Sequence, residues 1–246
     1  MVSNQLTLPH DVPSYLGAGL YTPREAAHFA RINTRMMTRW IHGSVNRESV
    51  VRAELGALDE QKVVTFLDFI QSLAIRQLRR QRPQPSLQKI REAYEEAATR
   101  YKVEHPFGYT HECFYDGKAI WIKLPWLTAD DEADDTLFTK VTGKQKGQSA
   151  FREIAQIYRN RITFAEDNKV ATAFTLYQDE LGTIVMDPQK RFGEPLLASG
   201  YSLQTILDAY AVETDVGAVS RMYEITEEEV ILAVRCDDYL DVRAAA

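Results

Sequence analysis

The chain has 246 residues; at the usual ~100–200 residues per domain, two modules are expected. With 45% hydrophobic and 26% charged residues, wholesale disorder, collagen and coiled coil are excluded. The net charge of −6 divides unevenly: residues 20–102 hold 15 Lys+Arg against 9 Asp+Glu, while residues 103–246 hold 14 against 25, so a basic module is set apart from an acidic one that DNA would repel.

Residues 20–43 read as two short helices joined by a tight turn. Thr22-Pro23-Arg24-Glu25 is a capping box, with Thr22 at the N-cap, Pro23 at the first helical position and Glu25 three residues after the cap. Ala26, Ala27 and Ala30 allow a second helix to approach closely. The turn runs through Arg31-Ile32-Asn33, and Asn33 or Thr34 caps the second helix. Glycine is common in such turns; here the position falls to Arg31 or Asn33, and asparagine tolerates the left-handed conformation. Ile32, Met37 and Trp40 fall inward; Arg35, Thr38 and Arg39 fall outward.

Residues 44–61 look irregular and polar. Residues 62–81 form an amphipathic helix, with Val63, Phe66, Leu67, Ile70, Leu73, Ala74 and Leu78 in helical rhythm. Arg82-Pro83-Gln84-Pro85 breaks it, and Ser86 caps the next helix. Residues 113–124 read as a hairpin turning at Asp116-Gly117. Residues 125–148, acidic and then small and flexible, read as a linker. A helix over 149–161 follows, then strands over 161–165, 170–177 and 182–187, a loop marked by Gly193, Pro195 and Gly200, and helices over 202–211, 214–222 and 226–240. Thr226 and Glu229 make a second capping box. The segment SLQKIREAY (86–94) echoes SLQTILDAY (202–210), which convergent helix-start chemistry explains.

The first helix pair carries the sharpest chemistry. In a helix-turn-helix the second helix enters the major groove and its exposed residues reach base edges. Arg35 and Arg39 are then donors to bases or phosphate, since arginine's planar fork donates two parallel hydrogen bonds. Thr38 meets a base or a thymine methyl, Arg24 meets phosphate, and Arg47 and Arg52 reach the next groove. Asn33 and Thr34 complete the DNA-facing set. The same pattern also fits an ordinary helical hairpin with a solvated arginine face.

Elsewhere the signals are weak. His105, His111 and Cys113, with Glu104 and Glu112, match no common zinc spacing. The GKQKG stretch lacks the P-loop spacing, and no nucleophile–base set has a supporting motif. Asp130, Asp131, Asp134 and Asp135 fit a solubilising loop, a phosphate mimic or a surface for a basic partner. No catalytic residue, metal or cofactor is expected. Cys113 and Cys236 fit a reducing cytosol. No apolar run approaches the ~18 residues of a membrane span, and the start lacks the features of a secretion signal.

The stretch GLYTPREAAHFARINTRMMTRWI resembles the MerR-like helix-turn-helix of bacterial VapB-type antitoxins. VVTFLDFIQSLAIRQL, SLQKIREAYEEA and HPFGYTHECFYDGKAIWI are similar to the segments that follow it in that subgroup. The C-terminal stretch resembles the small antitoxin-associated domain of unknown function, through Asp187, Pro188, Phe192, Gly193, Pro195, Glu228, Val230 and Ala233. These matches span roughly residues 20–240 without the linker. Where members usually carry Gly-Thr-Arg after the FG.P turn, this chain has Ala198-Ser199-Gly200-Tyr201.

The resemblance implies an antitoxin that neutralises a PIN-domain ribonuclease toxin and represses its own operon. PIN nucleases hold a metal in an acidic cluster, which an arginine or apolar segment of an antitoxin can enter; Arg191, Arg221 and Arg235 are the candidates, with Val230, Ile231 and Val234 as an apolar row. The expected fold is mainly α with a small β component: a MerR-like helix-turn-helix domain with helical extension and hairpin over 1–124, a linker over 125–148, and a small β-hairpin and three-helix module over 149–246. A cytoplasmic homodimer on a palindromic operator is expected, with the 63–78 helix or the 202–240 helices as the seam. A stand-alone transcription regulator and a non-DNA-binding adaptor remain the alternatives.

Overall fold

The computed structural model describes residues 18–108, 113–122, 139–140, 161–166 and 170–241. Apart from Arg161, the expected helix over 149–161 lies outside the described residues, as do most of the expected linker, His111, Glu112 and the four linker aspartates. Among the described residues the protein is mainly α-helical with small antiparallel sheets, as expected.

Strand β1 (Leu20–Tyr21) pairs antiparallel with β4 (Val64–Thr65) and leads into α1 (Pro23–Phe29). The expected capping box is present: the Thr22 hydroxyl accepts from the Glu25 N–H at 3.2 Å, and the Glu25 carboxylate accepts from the Thr22 N–H at 2.8 Å. The helix closes in a Schellman motif, the Arg31 N–H donating to the His28 carbonyl and the Ile32 N–H to the Ala27 carbonyl, both at 2.9 Å. The left-handed residue is therefore Arg31, at φ 50°, and not Asn33. Asn33, at φ −72°, is the N-cap of α2 (Thr34–His42). Met37, Trp40 and Ile41 of α2 are buried beside Ala26, Ala27 and Ala30, where only small side chains let two helices approach so closely; Ile32 is half-buried.

Residues 44–61 are more ordered than their polarity suggested. Strands β2 (Ala57–Leu58) and β3 (Gln61–Lys62) make a two-stranded ribbon, turning on Asp59 and Glu60, both at positive φ, as a primed hairpin turn requires. Helix α3 (Phe66–Arg80) starts four residues later than periodicity predicted. Thr65 and Asp68 form a capping box that the hydrophobic rhythm concealed: the Thr65 hydroxyl accepts from the Asp68 N–H at 3.1 Å, and the Asp68 carboxylate accepts from the N–H groups of Thr65 at 3.2 Å and Glu54 at 3.1 Å.

Helix α3 is not amphipathic in its setting. Phe69, Ile70, Leu73 and Leu78 are buried, and so are Gln71, Ser72, Arg76 and Gln77. Its own chain encloses it, so it is no dimer seam. Helix α4 (Leu87–Tyr101), capped by Ser86, supplies Ile90, Ala93, Tyr94 and Ala97 to the same core. The hairpin β5 (Cys113–Tyr115) and β6 (Ile120–Ile122) forms where expected, its turn held by the Asp116 carboxylate accepting from the N–H groups of Lys118 and Ala119. Strand β7 (Thr139–Lys140), inside the expected linker, pairs with β6.

Strands β8 (Ile162–Phe164), β9 (Ala171–Asp179), β10 (Gly182–Met186) and β11 (Pro195–Leu196) form a sheet in the order β11-β10-β9-β8. Helices α5 (Leu203–Glu213), α6 (Val216–Tyr223) and α7 (Glu227–Asp241) follow at the expected places. The second capping box is half made: Thr226 accepts from the Glu229 N–H at 3.2 Å, but the Glu229 carboxylate accepts from the Ser199 N–H at 2.8 Å and so tethers the Ala198–Tyr201 loop.

The two halves share one hydrophobic core. Phe69 of α3 meets Phe174 of β9 edge to face, with ring centroids 5.3 Å apart. The Tyr21 hydroxyl donates to the Gly193 carbonyl at 2.7 Å. The Arg31 guanidinium lies over the Tyr239 ring.

Candidate nucleic-acid interface

The exposed side of α2 begins at its cap. Asn33 accepts from the Arg35 N–H at 2.8 Å, which fixes the first turn and leaves Asn33, Thr34, Arg35 and Met36 exposed together. Met36, 41% exposed, was not picked out by sequence; a large apolar side chain beside arginines suits a thymine methyl. Thr38 and Arg39 are half-buried, and the Thr38 hydroxyl is committed to the Thr34 carbonyl at 3.0 Å. Arg24 is exposed on the first turn of α1.

Directly after α2 the chain reverses sharply. Gly43 sits at φ 70°, where an added Cβ would lie 2.6 Å from the Arg47 carbonyl. The Ser44 and Arg47 backbones bond to each other at 2.7 and 3.0 Å, so Arg47 stands at the foot of a projecting turn with Val45 and Asn46. Arg91 of α4 holds that turn in place, donating to the carbonyls of Ser49 and Glu48. Arg52, expected at DNA, instead forms an exposed ion pair with Glu95. A phosphate would have to compete with that carboxylate.

The end of α3 adds charge that the sequence reading did not assign. Burial, followed by the nearby guanidiniums of Arg39 and Arg82, holds the Arg79 guanidinium below its ordinary pKa. Arg39 of α2 and Arg82 of the following loop thus each bring positive charge near Arg79 at the end of α3. Positive charge gathered in this way suits a polyanion. The run Arg79-Arg80-Gln81-Arg82 was visible in sequence, but not its proximity to Arg39. On the inner side, burial and then the charge of Lys62 hold His42 below its ordinary pKa.

The C-terminal candidates divide. Arg191 and Arg221 are exposed. Arg235 bonds to Asp179 at 3.0 Å and Glu180 at 2.6 Å, closing the β9–β10 hairpin onto α7. Val230 is fully buried and serves the core; it is unavailable to a partner, whereas Ile231 and Val234 are half-exposed. Arg191 and Phe192 both have positive φ, at 43° and 56°, an arrangement that strains side-chain-bearing residues. Phe192 is 54% exposed, so this loop displays an arginine and a phenylalanine side by side.

No protein-family model matches the chain. A Mycobacterium tuberculosis protein named "Putative antitoxin VapB45" is 23% identical over 245 residues, spanning 92% of this chain and 94% of that protein. The crystal structure of Rv2018 from Mycobacterium tuberculosis superposes with a TM-score of 0.57 at 20% identity, over 87% of this chain and 96% of that one. The described fold is therefore one already seen in a crystal. No helix among the described residues is long and apolar enough to cross a membrane.

Proposed function

We propose that the chain is the antitoxin of a toxin–antitoxin pair: it reads operator DNA through α2, binds a PIN-domain ribonuclease toxin through the C-terminal half, and represses its own operon from the cytoplasm. The observation that carries the DNA reading is the capped α2 presenting Arg35 and Met36 beside the crowded Arg39, Arg79 and Arg82. The antitoxin reading is supported by the likeness to VapB45 over nearly both full chains. In this reading residues 20–43 are a MerR-like helix-turn-helix, the division into 1–124 and 149–246 separates DNA and toxin roles, and the exposed Arg191, Phe192 and Arg221 face the toxin.

The protein acts on DNA as a homodimer, because one helix-turn-helix covers too little surface for tight specific binding. With α3 enclosed, the seam falls to the C-terminal helices, where Val212 and Met222 are exposed.

The reading is tested with the full-length chain. Its affinity for DNA from upstream of its own gene is measured by fluorescence anisotropy across a salt series, and its co-purification with the product of the adjacent gene is scored. Salt-independent or absent DNA binding overturns the first part. Failure to co-purify with a neighbouring PIN-type protein overturns the second. A stand-alone transcription regulator is the second reading, favoured by the shared core: the C-terminal half is explained as part of the same folding unit without any toxin. A gene neighbourhood without a PIN-type reading frame selects it.

A further inference from the structure

His28 on α1 and Asp237 and Asp241 on α7 bring an imidazole nitrogen and two carboxylate oxygens within 4.8 Å of one another. They come from the two ends of the described chain, so no spacing motif records them. The aspartates are one helical turn apart, where like charges destabilise a helix. They also sit at the C-terminal end of α7, where the helix dipole is negative and cations are favoured. Yet α7 has no basic residue in its last turn, and Asp238 adds a third negative charge there. Among the described residues neither aspartate pairs with a lysine or arginine; the arginine of α7, Arg235, is committed to Asp179 and Glu180. The group that faces the pair from the opposing helix is His28, which is itself a metal ligand when neutral.

We propose that His28, Asp237 and Asp241 form a binding site for one divalent transition-metal ion, of the zinc, cobalt or nickel class, that staples α1 to α7. One imidazole and two carboxylates suit these borderline ions; calcium and magnesium favour all-oxygen shells. The side chains draw in from their present spacing to bonds of about 2.0–2.2 Å, and water fills the remaining coordination. The ion reverses both penalties at once, since it neutralises the aspartate pair and places positive charge at the helix terminus. It also ties the helix that precedes α2 to the C-terminal half, so metal binding stabilises the fold by mass action. This inference stands apart from the proposed function and does not need a toxin or an operator.

The test uses the full-length protein stripped with a chelator. Zinc is titrated by calorimetry, cobalt by its visible absorbance, and thermal unfolding is followed with and without zinc. One zinc per chain, a raised Tm and a cobalt spectrum with a nitrogen ligand are expected. His28→Gln removes a direct ligand and should weaken binding by at least the ~10–100-fold that loss of an outer-shell partner brings. The double variant D237N/D241N should abolish the zinc-induced shift while raising the Tm of the metal-free protein, because it removes the repulsion; a variant that merely failed to fold would lower it. Absence of binding at submillimolar zinc, an affinity that the variants leave unchanged, or an equal response to magnesium overturns the assignment.

Discussion

The guanidinium of Arg31, at the turn between α1 and α2, lies 4.1 Å from the ring centroid of Tyr239 in α7. Arg161, beside β8, donates to the same phenol oxygen at 3.2 Å. Burial alone would raise the phenol's pKa, but the hydrogen bonds and charges of Arg161 and Arg31 outweigh it and hold Tyr239 below its ordinary value. Arg31 also occupies the left-handed position that glycine would fill without strain, so its side chain explains why arginine stands there. Replacing Arg31 by alanine should shift the Tyr239 ionisation upward. The difference in alkaline ultraviolet titration between each protein and its Y239F counterpart reads that shift; an unchanged titration would show that the two groups do not interact in solution.

The bond from Tyr21 to Gly193 fastens the halves together. Tyr21→Phe leaves a buried carbonyl unsatisfied and should cost about 1–3 kcal/mol. Gly193→Ala should cost more, because Gly193 sits at φ 88° and a Cβ there would lie 2.3 Å from the Tyr21 hydroxyl. Urea midpoints of the two variants rank the effects, and G193A milder than Y21F would contradict the packing described.

Asp68 is fully buried at the N-terminus of α3, and burial pushes its carboxyl up to about 6 despite the N–H groups of Thr65 and Glu54. A carboxyl whose folded pKa exceeds its unfolded one binds protons more tightly in the native state, so stability falls as pH rises between the two values. The stabilising contribution is complete below about pH 4 and gone above about pH 6. Asp68→Asn should flatten the pH dependence of the Tm in that window; an identical profile in the variant would locate the titration elsewhere.

Charge removed at α3 and at α2 should act differently on DNA. Arg79→Ala with Arg82→Ala is expected to weaken operator and random DNA alike, reducing the slope of log affinity against log salt by about 0.9 for each lost phosphate contact. Arg35→Ala with Arg39→Ala should cost operator binding about 1–3 kcal/mol for each base contact and leave random DNA less affected. Equal losses on both DNAs for both pairs would dissolve the distinction.

Local chemistry was legible in the sequence. The Thr22–Glu25 box, the Asp116-Gly117 hairpin and the C-terminal helices follow from caps, turns and periodicity within a few residues. What failed depended on long-range packing. Val63 looked like the start of α3 because its hydrophobicity fits the helical rhythm, yet pairing with β1 and the Thr65 cap decided the boundary. Gln71 and Arg76 made α3 look half-exposed, yet both are buried, Gln71 against His105; periodicity cannot register layers that arrive from elsewhere in the chain. Between Arg31 and Asn33, conformational tolerance alone favours asparagine for the left-handed position; what selects Arg31, the Tyr239 ring, lies far along the chain. Arg79 and Arg82 were visible as charge but not as neighbours of Arg39.

The contact between Phe69 and Phe174 has a bearing on synthesis. A chain leaving the ribosome N-terminus first exposes α3 before the strand that covers it has been made. At about 5–20 residues per second, the interval is on the order of ten seconds. Helices α1 and α2 therefore spend that time on an unfinished foundation, without the support that β9 and α7 later supply. Maturation of the α1–α2 end is timed by the far end of the message.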